Sequence, residues 1–426
     1  MDYKSHKMGN YNIYFMQIKK FKTISLSIRF KKEKTKDDAI YASILKEVLK
    51  AGSNKYKNIN DYFRARLNLY NPAINIAISN FGKDRTFFIN GKFANEKYTE
   101  KEMNKKTIEF IFDILYNPKI KNNAFDEKTF DICRHDYVEI LKAAKDDPFK
   151  YATDRLWEEM DIYDFKLLSN EEAIKLAEKM TSKDLYNYYK KLFEENSLDI
   201  FVVGDFDEEE MKNIIKNNVK GDFEENKPST CINYDKIKEK EEIIEETKTS
   251  QSQLTLGYKF KDLTDFERKY VAIFFSSILG GGWSSKLFQT VREKNSLCYY
   301  IGASRSLSHN TLLIYSSIDA KNHDKTLKLI KKEFASMEKG DFKDDQIDRV
   351  RQLYYNSLLE MEDNQTMLMN NLIDVVFSNN DTIEDRRKNI AKVTRKDIIK
   401  FASKVHLEAV YFLKGVKEWK KRKSRD

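Results

Sequence analysis

Polar and apolar residues alternate in "SLSIRF", residues 25–30, which places Leu26, Ile28 and Phe30 on one face of a strand. The alternation returns in the second half in "QLTLGYKF", where Leu256, Tyr258 and Phe260 take the corresponding positions. A helical period follows each strand, over residues 37–50 and 266–279, and predicts an amphipathic helix in both places. A short helix then leads into further strands: "PAINIAISNF" with Ile74, Ile76 and Ile78 on one face, and "NTLLIYSSID" in the copy. Longer helices are predicted over 100–115 and 127–145, and over 323–338 and 344–361. Thr181 and Thr394 are the expected N-caps of one more helix in each half, and "LDIFVVGDF" and "AVYFLKGV" read as closing strands.

Landmarks keep the two series in register: Gly52 answers Gly281, Tyr70 answers Tyr299 and Gly204 answers Gly415. Self-similarity of this kind marks a duplicated unit. Strands first and helices after describe an α+β fold, here two tandem lobes, 1–214 and 249–426. Each is a mostly antiparallel sheet with helices packed on one face. Residues 215–248 are charged and weakly periodic and read as a linker. A chain of 426 residues is long enough for more than one core.

With 41% hydrophobic residues the chain is globular despite 34% charge. Its net charge of +9 is spread along the sequence, and only the tail 417–426 is densely basic, which reads as a solvated terminus and not as a nucleic-acid grip. Cys133, Cys231 and Cys298 lie far apart, with no CxxC pair, and argue for a reducing compartment. Neither a secretory signal nor an uninterrupted apolar run of about 18 residues is present, so the expected location is cytoplasmic, without membrane insertion.

The stretch "LGGGWSSKLFQTVREKNSLCYY", residues 279–300, raises a sharper question. A phosphate loop needs a lysine and a hydroxyl directly after its last glycine, whereas Gly282 is followed by Trp283, Ser284, Ser285 and Lys286. As a turn the run is straightforward: glycine ends one helix, Ser284 or Ser285 caps the next, and Leu287, Phe288 and Val291 form its buried face. Arg292 then falls at the helix end and Tyr299 at a strand entrance.

This stretch resembles the C-terminal-domain signature of the M16, or insulinase/pitrilysin, peptidase family, and the doubled α+β lobes are similar to that family too. The resemblance implies two lobes around a chamber, with zinc in the N-terminal lobe. An arginine and a tyrosine of the C-terminal lobe then contact the substrate and the developing oxyanion; in this chain they are Arg292 and Tyr299. A forked, permanently charged guanidinium and a phenol that donates to a tetrahedral oxygen suit that role. Read without the resemblance, Arg292 solvates a helix end and Tyr299 packs in a core.

The family's zinc motif, HxxEH on the first helix of the N-terminal lobe, supplies two histidine ligands and a glutamate base. Aligned on Gly52 and Ser53, the ligand positions here hold Ser43 and Glu47, and the base position holds Lys46. A hydroxyl and one carboxylate make no zinc site, and a lysine is no carboxylate base. The third ligand is expected in "FDICRHDYVEILKAAKDDP", where Cys133 and His135 occur. A substitute site of Cys133, His135 and Glu47 is disfavoured, because helical residues two apart point in different directions. No other histidines have ligand spacing.

In two-subunit members of the family one chain carries HxxEH and the other the arginine and tyrosine. The resemblance therefore implies a non-catalytic subunit with no cofactor of its own, which supplies Arg292 and Tyr299 to a zinc-bearing partner in peptide hydrolysis. Whether two copies of the chain form a homodimer when that partner is absent is left open by the sequence. The stretches "IYFMQIKKFKTISLSIRF", "LKEVLKAGS" and "RLNLYNPAINIAISNFGKDR" further resemble the inactive M16-type proteins associated with 5-aminopentanol modification of elongation factor P, with "LNLYNPA" where those read "LxLYGA". The alternative is a scaffold or peptide-binding homologue with no peptidase role.

Overall fold

The computed structural model describes residues 2–56, 58–160, 168–227, 229, 231–234 and 236–416; the basic tail lies outside them. The strands are β1 (Lys4–Lys7), β2 (Tyr11–Gln17), β3 (Thr23–Glu33), β4 (Ala73–Phe81), β5 (Asp84–Ala94), the short pair β6 (Ile120–Lys121) and β7 (Ala124–Phe125), and β8 (Ser197–Gly204). They continue with β9 (Ile243–Thr247), β10 (Ser252–Phe260), β11 (Cys298–Ser306), β12 (Thr311–Ile318) and β13 (Val405–Gly415). Described residues within Met1–Lys142, Leu167–Thr230 and Leu359–Ile383 form one unit, and those within Ala143–Lys166, Cys231–Leu358 and Glu384–Asp426 a second.

The first unit's sheet runs β1-β2-β8-β3-β5-β4 and is antiparallel except where β2 pairs with β8. Leu26, Ile28 and Phe30 of β3 point, as the alternation predicts, into a core shared with Ile44, Leu45 and Leu49 of helix Asp38–Lys50 and Ile108, Ile111 and Leu115 of helix Met103–Tyr116. Thr181 closes a capping box with Asp184 at the start of helix Ser182–Lys191.

The second unit's sheet runs β9-β13-β10-β12-β11, the same order with the extra edge strand missing, and again only one pair, β9 with β13, is parallel. Leu254, Leu256, Tyr258 and Phe260 share its core with Phe274, Phe275 and Ile278 of helix Ala272–Gly280 and with Ile398 and Phe401 of helix Arg395–Ala402. Thr394 caps this last helix through the same box, with Asp397. Strand β9 falls inside the stretch 215–248, and so does the end of helix Glu208–Asn218. Part of the charged segment read as a linker is therefore regular structure.

Beyond the helices on one face, each sheet carries a helix on the other, drawn from the opposite half of the sequence. Helix Gln365–Ser378 lies on β8 and β3 of the first unit, where Phe377 meets Phe201 edge-on at 5.6 Å. Gln365 anchors its start by donating to the carbonyl oxygens of Thr23 and Val203, both at 2.8 Å. Helix Pro148–Glu159 lies on β10 and β13 of the second unit and packs Ala152, Leu156 and Met160 against Leu313, Tyr411 and Leu413. Ser27, Arg29 and Lys31 of β3, and Thr255 and Lys259 of β10, are consequently buried although they occupy the polar phase of their strands.

Candidate functional site

The glycine run is resolved as a packing device and a turn. Helix Ala272–Gly280 approaches the edge strand so closely that a Cβ on Gly280 would stand 2.6 Å from the backbone nitrogen of Ala303. Gly282 then turns the chain at φ +102°, and Ser285 Oγ accepts from the Phe288 amide to cap the next helical segment. The Phe288–Glu293 segment is wound wide, its closing bond spanning five residues from Lys294 N–H to the Gln289 carbonyl at 3.0 Å. Wide turns of this kind re-aim side chains, and Arg292, on the last of them, is exposed, with its guanidinium carbon 5.0 Å above the Phe288 ring.

Tyr299 owes its position to an irregularity in pairing. Cys298 pairs with Ile318 and Tyr300 with Ser317, so Tyr299 is an extra residue in β11. Alternation from Ile301 would turn it into the core; as a bulge it is 57% exposed instead. Cys298 takes the inward place, half-buried, with burial pushing its thiol pKa up. Among the described residues neither Arg292 nor Tyr299 has a hydrogen-bond or ion-pair partner, and β11 is a sheet edge whose outer backbone groups are unpaired.

Ser43, Lys46 and Glu47 are half-buried on helix Asp38–Lys50. Glu47 Oε1 lies 3.0 Å from Lys50 Nζ and 3.6 Å from Lys46 Nζ, so two ammonium groups stand where a divalent cation would have to sit. These residues do not fit zinc. Cys133, on helix Glu127–Lys142, packs half-buried against the first core; burial, then the negative charges of Glu47 and Asp136, push its pKa up to about 11. A thiol held protonated is the opposite of a metal-binding thiolate. His135, two residues on, is exposed. Among the described residues no group of three or more His, Cys, Asp or Glu side chains is placed to hold a metal ion.

The remaining histidines include three that are engaged locally. His323 Nε2 lies 2.6 Å from Glu242, His6 Nε2 3.0 Å from Glu208, and His309 Nδ1 2.6 Å from the Ser306 hydroxyl. Sequence reasoning passed over Arg305, which lines a cavity of the second unit. The signal was there: Arg305 is in phase with Ile301 and Ala303 on the helix-facing side of β11. No helix among the described residues is long and apolar enough to cross a membrane.

Comparison with known proteins bears on this combination. Residues 179–354 match the family model of the peptidase M16 inactive domain. Over 416 residues, 96% of this chain and 97% of the relative, the sequence is 28% identical to the probable inactive metalloprotease YmfF of Bacillus subtilis. The fold matches a conserved protein from Enterococcus faecalis V583, with a TM-score of 0.88 and 24% identity over 98% of this chain and all of the other. It also matches a peptidase M16 inactive domain from Pseudomonas fluorescens, with a TM-score of 0.79 and 14% identity over 98% and 99% of the two chains. The chain is thus similar to M16 peptidases of the inactive type, and lysines stand beside the one carboxylate at the positions matched to that family's zinc motif.

Proposed function

We propose that this chain is the non-catalytic half of a paired M16-type peptidase, offering Arg292 and Tyr299 to peptide held beside the zinc of an HxxEH-bearing partner subunit. The observation that carries this reading is the bulge at Tyr299, which gives up a ladder position to turn a phenol outward on the strand that follows the exposed Arg292. A structural pair would be buried and partnered. The edge strand β11 offers main-chain donors and acceptors to an extended peptide, a recognition mode that needs no further side chains. In this reading Tyr299 donates to the oxygen that gains charge as the scissile carbonyl is attacked, and Arg292 supplies permanent positive charge alongside it. The chain itself needs no metal, and its three unpaired cysteines suit the cytoplasm.

The test is co-purification with an HxxEH-bearing relative from the same cell, followed by peptide hydrolysis with wild-type, Arg292→Ala and Tyr299→Phe chains. Each substitution is expected to lower kcat by about 10²- to 10³-fold, the range for loss of one oxyanion donor, while leaving assembly intact. Metal analysis is expected to find zinc in the pair and none in this chain alone. Activity untouched by both substitutions would remove the proposed role.

A further inference from the structure

The second unit contains a cavity of about 350 Å³ between helix Ala272–Gly280, helix Asp344–Asp363 and the far end of β11. Arg305 enters it from the strand, six residues beyond Tyr299 and thus about 20 Å away along the strand. Its Nε is buried without a hydrogen-bond partner, and no ion pair reaches its guanidinium among the described residues. Burial lowers its pKa, as expected for a cation removed from water without a counter-ion. The lining adds the exposed Arg349 at the mouth and the hydroxyls of Ser277 and Ser357, and includes no Asp or Glu. Arg349 has a long contact, 3.5 Å, to Asp345 outside the lining and lies 5.9 Å from the Trp283 ring. The other walls join the apolar Ile273, Val350 and Leu353 to the polar Gln346 and Tyr354.

We propose that this cavity binds a small monocarboxylate with an apolar substituent, its carboxylate on Arg305 and its hydrocarbon against Ile273, Val350 and Leu353. A guanidinium half-withdrawn from water with its Nε buried and bare carries a cost, and a carboxylate that satisfies its fork in a bidentate manner removes it. The volume suits a ligand of amino-acid to dipeptide size. The inward guanidinium matches a single negative charge, and Ile273, Val350 and Leu353 offer an apolar wall to a hydrocarbon substituent that a phosphate lacks. The carboxylate comes either from the C-terminal residue of a peptide or from a free branched acid.

Titration calorimetry of the full chain distinguishes these sources, with N-acetyl-leucine as the peptide-end probe, 4-methylpentanoate as the free acid, N-acetyl-leucinamide as the neutral control and inorganic phosphate as the competing anion. One of the two acids is expected to bind at least about tenfold more tightly than the amide, the worth of a charge-assisted hydrogen bond. The tighter acid names the source. Arg305→Gln is expected to abolish the difference between acid and amide while leaving the melting temperature unchanged or higher, since it removes an uncompensated charge. Leu353→Trp, which keeps the arginine and fills the rim, is expected to block both acids. The proposal is overturned if acid and amide bind alike, if neither acid binds, if both variants bind as wild type does, or if phosphate binds more tightly than either acid.

Discussion

The two sheets place a cation at the same point of corresponding strands, yet surround it differently. Arg29 in β3 and Lys259 in β10 occupy matching positions, and each is buried on the face covered by a helix from the other half of the sequence. Lys259 has a full set of partners: both oxygens of Glu408, at 2.9 and 2.7 Å, the Met160 carbonyl at 2.7 Å and the Tyr234 ring. Arg29 lies 4.1 Å from the Phe88 ring and donates to the hydroxyls of Ser27 and Ser79; burial lowers its pKa to about 10, against the opposing pull of Asp374. Duplication has fixed where the charge sits, while divergence has chosen what neutralises it. A carboxylate partner makes the second unit's cation dependent on a single residue, whereas the first unit spreads the task over hydroxyls and a ring.

The largest effect should come from removing that single residue. Glu408→Ala strands the Lys259 ammonium in a dry site and is expected to cost about 3–5 kcal/mol in denaturant unfolding. Arg29→Met, an apolar replacement of similar length, is expected to cost under about 1.5 kcal/mol; equal losses for the two would erase the contrast.

The first unit's own buried acid sharpens the comparison. Asp199, paired in register with Arg29, accepts from Asn12 at 3.1 Å, and burial raises its carboxyl pKa from 3.8 to about 6. The folded chain therefore holds a proton that the unfolded chain releases between those values, and Asp199 makes stability fall as pH climbs through this window. Asp199→Asn is expected to flatten that slope and to stabilise the protein at pH 7 by up to about 3 kcal/mol, read from melting curves against pH. A slope that survives the substitution would show that another group titrates.

Two smaller effects test how the covering helix and helix Asp38–Lys50 are held. Gln365→Ala removes the side chain that bonds the Thr23 and Val203 carbonyls, and about 1–2 kcal/mol should be lost. Glu47→Ala breaks half-exposed lysine pairs and takes one negative charge away from Cys133, so its cost should stay below about 0.5 kcal/mol, with no change on adding a chelator. A chelator-sensitive melting temperature would restore a metal to this helix.

Much of this arrangement was legible in the sequence because one face of each sheet is apolar. The period-2 pattern in 25–30 fixed the inward set Leu26, Ile28 and Phe30, and the Thr–Asp spacing at 181 and 394 marked two helix starts that the structure caps as expected. Periodicity says which face is apolar; it does not say that the other face is wet. The alternation leaves Ser27, Arg29 and Lys31 on the polar face of the strand, and a helix encoded more than 300 residues later covers them. Strand β9 was hidden because "IIEET" alternates weakly amid charge. The bulge at Tyr299 left no local trace, since a one-residue change of register depends on the neighbouring strand β12. Arg305 was in view but unweighted, a charge on the inward phase of a strand otherwise carrying Ile301 and Ala303.

The exchange of covering helices has a consequence for biosynthesis. The first sheet is assembled from strands that precede β9 in the chain, but its second cover, residues 365–378, is made only after β12. Until that helix is made, Arg29 and Lys31 line an open surface, and chaperones have a long interval in which to meet it. Splitting the chain between the two sheets' strands would give two fragments, each missing a roof that the other carries. The two similar halves have thus become mutually dependent.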